Sequence, residues 1–156
     1  MKATRQQSTR QLTADELSEE LPVFVFGTLR PGWGNACQWD GLGEAKHDGK
    51  AIVKDHRLVS NGAFPYCLPA AGRNTVGTLI VAHDGCWSRM IDQMDMLEGV
   101  PVHYNRRRVN VSTPEGKIQS WYYLPDDWGT YERMSPVPNN DWAQHRLNPN
   151  HFRSSW

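Results

Sequence analysis

The strongest constraint on how this 156-residue chain can fold is one amphipathic segment, Trp87–Glu98. Trp87, Met90, Ile91, Met94 and Leu97 recur at intervals of three, one, three and three, which places them on one face of a helix and predicts that this face is core. Asp84 is the expected N-cap, Gly99 the expected left-handed residue after the last turn, and Pro101 prevents continuation. The rest of the pattern is strand-like. Val23–Phe26 is continuously apolar and ends at Gly27, as a strand buried on both faces would. Further strands are expected at Lys50–Lys54, Arg57–Ser60, Thr75–Ala82, Arg106–Thr113 and Lys117–Leu124. The last two flank Pro114-Glu-Gly116 and read as a hairpin. One good helix among many locally connected strands predicts a small α+β domain around a curled mixed sheet or barrel.

The termini read differently. Residues 1–20 form an expected mobile N-terminal arm, polar over Met1–Arg10, with Thr13-Ala-Asp-Glu16 spaced as a capping box for a turn or two of helix over Asp15–Leu21. The body is expected to span residues 21–145, its end packed through Trp128, Tyr131 and Trp142, with a tail over 146–156.

Acidic and basic residues balance, so the broad positive field of a nucleic-acid binder is absent. No apolar run approaches the roughly 20 residues of a membrane span, and no secretory leader is recognisable. Cys37, Cys67 and Cys86 are odd in number and form no CxxC pair, which fits free thiols in a reducing cytoplasm. The histidines are scattered without HExxH spacing, so no metal is expected.

Three features carry candidate chemistry. In Phe24-Val-Phe-Gly-Thr-Leu-Arg-Pro-Gly-Trp-Gly34, a glycine directly after a buried strand permits positive φ and a close backbone approach to a ligand. Successive N–H groups there can cradle a carboxylate, although an ordinary Gly/Pro loop would read the same way. Glu98 closes the helix, where the macrodipole opposes an anion and, with burial, raises the carboxyl pKa toward that of a useful general base. The alternative is a solvated surface glutamate. Asp92 and Asp95 read as the solvated side, with Asp95 a possible partner for one of Arg106–Arg108. Strand alternation sends Arg106 and Arg108 to one face and Arg107 to the other, which weakens any phosphate-binding patch.

Taken in order, these motifs resemble the γ-glutamylcyclotransferase superfamily, including its AIG2-like branch. The loop matches as Phe26-Gly-Thr-Leu-Arg-Pro-Gly32 followed by Asn35, and a middle segment as Gly62-Ala-Phe-Pro65. A strand matches as Val76-Gly-Thr-Leu79, and the helix end as Met94-Asp-Met-Leu-Glu-Gly99 with Tyr104-Asn-Arg106. An aromatic strand matches as Trp121-Tyr-Tyr123 and a late motif as Asn140-Asp-Trp142. The resemblance covers Leu21 to Trp142 and implies a small barrel-like α+β fold with a pocket between loop and helix end. It implies Glu98 as the acid/base, with Phe26, Gly27, Thr28 and Leu29 binding substrate. Arg30, Asn35, Tyr104 and Tyr122 complete the implied substrate-binding set. Phe26 departs from the family, where tyrosine is usual.

The reaction so implied is intramolecular acyl transfer on a small-molecule γ-glutamyl amine, releasing 5-oxoproline without a cofactor. Two other readings stand beside it. One is a non-catalytic module that holds a small carboxylate or a peptide end. The other, weaker, is an RNA-associated protein using Arg106–Arg108. Neither the leaving amine nor the oligomeric state is encoded legibly.

Overall fold

The computed structural model describes residues 12–62, 64–100 and 103–143. In chain order the elements are α1 (Ala14–Leu17), β1 (Val23–Val25), β2 (Gly43–Ser60), β3 (Pro65–Ala82), α2 (Trp87–Glu98), β4 (Asn105–Thr113), β5 (Gly116–Leu124) and β6 (Ser135–Pro136). Short 3-10 turns lie at Gly34–Gln38, Trp128–Tyr131 and Pro138–Asn140. The strands run β3-β1-β5-β4-β2-β6, and β3 pairs again with β2, so that five strands close on themselves. Only β1 and β5 run parallel, joined at Val23 and Trp121. Closure satisfies backbone groups that an open sheet would leave at its edges.

Closure depends on the long β2–β3 hairpin. Its ladder breaks between Lys46 and Ala51 and again between Lys54 and His56. His47, Gly49 and Asp55 sit in these breaks with φ of 54°, 74° and 58°. Such irregularities bend a strand and increase its twist, which lets two 18-residue strands wrap a small barrel. The two separate strands expected at Lys50–Lys54 and Arg57–Ser60 are therefore one strand kinked at Asp55. The first half of β3 was not expected at all, because Pro65, Pro69 and Gly72 interrupt its pattern.

The sheet has two buried faces. Register places Phe24 opposite Leu79 on one of them, with Gly77 two residues on from Leu79 toward the N-terminus. A Cβ on Gly77 would fall on the Val25 carbonyl oxygen and 2.7 Å from the Phe24 ring, so this glycine makes room for a core phenylalanine. On the other face Trp121 takes the Arg106 and Arg108 guanidinium groups over its ring, 4.9 and 5.4 Å from the centroid. Arg106 also reaches the Trp87 ring of α2. The α2 stripe buries Trp87, Met90, Ile91 and Met94 as expected. Leu97 does not join it: it is 39 % exposed, because the last turn of α2 stands at the rim of a cavity.

The ends of α2 also divide. Gly99 adopts the expected left-handed conformation, at φ 70°. Asp84 is not the N-cap; Cys86 is, without a side-chain cap bond, because Gly85 at φ 76° turns the chain between Asp84 and the helix. The Thr13–Glu16 capping box is present, over a helix shorter than expected. Glu16, Leu17 and Glu19 of the expected arm are bonded to the body. Arg106 Nη1 donates to Leu17 O at 2.7 Å, Trp121 Nε1 to Glu19 O at 2.8 Å, and Arg108 pairs with Glu16 and Glu19. The expected mobile stretch Met1–Arg10, Pro101 and the tail over 146–156 lie outside the described residues.

Replacing Gly77 with alanine is expected to cost about 1–3 kcal/mol, the usual range for overpacking. At about 2–4 °C per kcal/mol for a chain of this size, thermal melting should show a Tm lowered by several degrees.

Candidate active site

The segment after β1 is fixed by its own polar groups. Arg30 N–H donates to Gly27 O at 3.0 Å and Asn35 N–H to Thr28 O at 3.0 Å. Asn35 Nδ2 donates to Thr28 Oγ1 at 2.8 Å, and Trp39 Nε1 to Leu29 O at 2.7 Å. The backbone N–H groups of Thr28 and Leu29 have no acceptor among the described residues. Gly27 does not use a positive φ; Gly32 does, at 87°. The absent side chain of Gly27 serves another purpose: a Cβ there would strike the Pro65 ring.

Arg30 anchors the loop from behind. Its side chain is buried, with Nη1 2.8 Å from Asp141 Oδ1 and Nη2 3.3 Å from Asp48 Oδ1. Thr78 Oγ1 donates to the same Asp48 oxygen at 2.6 Å. Next to Asp141, Trp142 packs on Trp33 with ring centroids 5.6 Å apart. Asn140, left-handed at φ 51°, accepts Leu58 N–H at 2.9 Å.

Glu98 arrives from the opposite side. The left-handed Gly99 turns the chain at once, with Val100 N–H donating to Asp95 O and His103 N–H to Gly99 O. Glu98 thereby lines a cavity of about 430 Å³ together with Gly27, Thr28, Leu29 and Asn35, residues some 60 to 70 positions away in sequence. Phe26 and Tyr104 line it too. Phe64, just before β3, lines it with Pro65 and Tyr66 at the start of that strand, and β5 contributes Tyr123. This volume lies within the roughly 300–1,000 Å³ of small-molecule sites.

Burial, and secondarily the nearby Asp95 carboxylate, push the Glu98 carboxyl up to about 7. Asp95 is not on a solvated face. It accepts Arg106 Nε at 2.9 Å and the Tyr123 hydroxyl at 2.7 Å. Tyr104 is held above the ordinary phenol range by burial and then by the Glu98 charge, and its ring stacks on Tyr66 at 6.0 Å.

Two expected binding residues do not line the cavity. The Arg30 side chain is spent on its two aspartates. Tyr122, one residue before Tyr123, alternates to the other face of β5 and meets His56 Nε2 at 3.1 Å. The Arg106–Arg108 run offers no open phosphate patch: Arg106 pairs with Asp95, Arg107 with Asp126, and Arg108 with Glu16 and Glu19. The cysteines are unpaired, and among the described residues no three His, Cys, Asp or Glu side chains converge as a metal site. No described helix is long and apolar enough to cross a membrane. The sequence reading missed Tyr66, His103 and Tyr123 as lining residues; only the adjacency of Tyr66 to Pro65 and of His103 to Tyr104 hinted at the first two.

A closed five-stranded barrel with one main helix, and a cavity between the first loop and the helix end, define the class. Residues 23–144 match the family model described as gamma-glutamyl cyclotransferase, AIG2-like, and the chain belongs to that family. A Vibrio cholerae serotype O1 protein, provisionally named a gamma-glutamylcyclotransferase, is 32 % identical over 123 residues, which cover 78 % of this chain and 95 % of that one. The crystal structure of YkqA from Bacillus subtilis superposes with a TM-score of 0.63 at 20 % identity, over 83 % of this chain and 42 % of that one. That of a Mus musculus AIG2-like protein gives 0.60 at 21 % identity, over 75 % and 85 %. These two likenesses speak for the fold.

The raised Glu98 pKa has a definite sign in stability. Below its ordinary value of 4.5 the carboxyl is protonated whether the chain is folded or not. Between there and about 7 the folded protein keeps a proton that the unfolded chain has lost, so stability falls as pH rises; above that the penalty is full. Glu98→Gln removes this dependence. Thermal melts are expected to show the variant gaining on the parent from pH 5 to 7.5, with a constant difference at higher pH.

Proposed function

We propose that this protein is a γ-glutamylcyclotransferase that releases 5-oxoproline from a γ-glutamyl amine. One observation carries the reading. A carboxyl pushed up to about 7 lines one cavity with Thr28 and Leu29, whose backbone N–H groups have no acceptor among the described residues. The first is what a general base working near pH 7 requires, and the second is what a substrate α-carboxylate requires. Family membership supports the same activity.

In the proposed reaction the Thr28 and Leu29 amides hold the α-carboxylate, and Asn35 keeps the Thr28 side of the loop in place. The α-amino nitrogen of the substrate attacks its own γ-carbonyl carbon. That C–N bond forms and the C–N bond to the leaving amine breaks. Glu98 takes the proton from the attacking nitrogen and returns it to the departing one, so no water is consumed and no covalent enzyme intermediate arises. The tether places nucleophile and electrophile in one molecule, and this proximity supplies much of the acceleration. One carboxylate serves both proton transfers. The first turn of β3 closes the cavity through Pro65, whose approach requires the bare Gly27.

Incubation with γ-glutamyl amines is expected to yield free 5-oxoproline, detected by mass spectrometry. Glu98→Gln should lower turnover by at least ~10²-fold, the lower range for removing a general acid–base group, while weakening binding far less. Near-normal turnover in the folded variant would contradict the role given to Glu98. Tight binding of γ-glutamyl amines without 5-oxoproline would show a binding module instead.

A further inference from the structure

The proposed reaction leaves the departing amine unspecified, and the cavity constrains it. Among the described residues three large apolar side chains remain exposed: Phe64 at 51 %, Leu97 at 39 % and Met96 at 82 %. Phe64 and Leu97 both line this cavity, one from the approach to β3 and one from the last turn of α2; Met96 directly precedes Leu97. Two of these three exposed apolar groups stand at one cavity, and such a patch marks a surface that is covered when the site is occupied.

Charge points the same way. Glu98 is the only carboxylate among the described lining residues, and no lysine or arginine side chain is among them. The nearest guanidinium on the loop, that of Arg30, is committed to Asp48 and Asp141. His103 is the one basic side chain among the described lining residues, and its ring packs edge-on against Tyr104, centroids 4.5 Å apart. A leaving group with its own carboxylate, as in a γ-glutamyl amino acid, would bring a second anion to a rim that has no fixed cation among the described residues. A leaving group with a remote ammonium, as in a polyamine, would find no second carboxylate among them. An uncharged aryl or alkyl group would instead cover Phe64 and Leu97.

We infer that the substrate is a γ-glutamyl conjugate of an uncharged, apolar amine, seated against Phe64 and Leu97. The inference rests on the proposed reaction. Its products are 5-oxoproline and the free arylalkyl- or alkylamine, formed by the same bond exchange.

The test uses two conjugates that differ by one carboxylate, γ-glutamyl-phenethylamine and γ-glutamyl-phenylalanine, with the full chain and 5-oxoproline release as the readout. The phenethylamine conjugate is expected to show a kcat/KM about ten- to a hundredfold higher, the range for leaving a polar or charged group without a partner. The preference should persist in His103→Gln. Phe64→Arg, at an exposed position, should narrow it by supplying the missing cation. Release of 5-oxoproline that is equal from both conjugates, or faster from γ-glutamyl-phenylalanine, overturns the inference and leaves the reaction standing. No 5-oxoproline from any conjugate overturns the reaction and this inference with it.

Discussion

The buried guanidinium of Arg30 ties together three parts of the chain that are far apart in sequence. It belongs to the loop after β1, Asp48 to the first break in β2, and Asp141 to the segment after the last 3-10 turn. A buried charge is tolerable only when paired, and removing one partner of such a pair typically costs about 3–5 kcal/mol. Asp48 is the more exposed of the two partners, so the shorter bond to Asp141 carries more of this constraint. The loop is thus held from behind by an ion pair and from within by Asn35 and Trp39. The Thr28 and Leu29 amides, without an acceptor among the described residues, therefore have their geometry set in advance, as the proposed carboxylate site would require.

The same economy governs the opposite wall. Asp95 and Glu98 stand one turn apart on α2, and two adjacent carboxylates cannot both be ionised cheaply. The surroundings separate them. Asp95 receives Arg106 and the Tyr123 hydroxyl, whereas Glu98 receives burial, the negative end of the helix and the field of Asp95. Two carboxyl groups on one helix thereby acquire different tasks, one structural and one suited to proton transfer near neutral pH. Arg106 serves both sides of this division, since it also packs over Trp87 and Trp121 and so ties α2 to β5.

Much of this was legible in the sequence, for local reasons. The bounds of α2 follow from its periodicity and from Gly99, and the β4–β5 hairpin from Pro114-Glu-Gly116. The alternation of Arg106, Arg107 and Arg108 followed from strand geometry alone. Other features depend on register, which no local pattern encodes. The first half of β3 is hidden behind two prolines and a glycine. Arg30 and Tyr122 were assigned to binding, yet one turns back to Asp141 and the other to His56, because side-chain direction is set by bulges and pairing elsewhere. Gly27 was expected to permit positive φ and a close backbone approach to a ligand; it does not use positive φ, and its bare Cα makes room for Pro65, a residue distant in sequence. Asn140-Asp-Trp142 was visible as a motif. That its three residues hold Leu58, Arg30 and Trp33 needed coordinates.

The central claim is that the barrel and α2 together create a glutamate poised near neutrality in one cavity with the loop residues Thr28 and Leu29. The most direct measurement is a carbon-13 NMR titration of the Glu98 side-chain carboxyl in the unliganded protein, assigned by comparison with Glu98→Gln. The account predicts a midpoint at about 7, with a shift toward lower pH when Asp95 is replaced by asparagine in a folded variant. A midpoint near 4.5, the ordinary value, would contradict it.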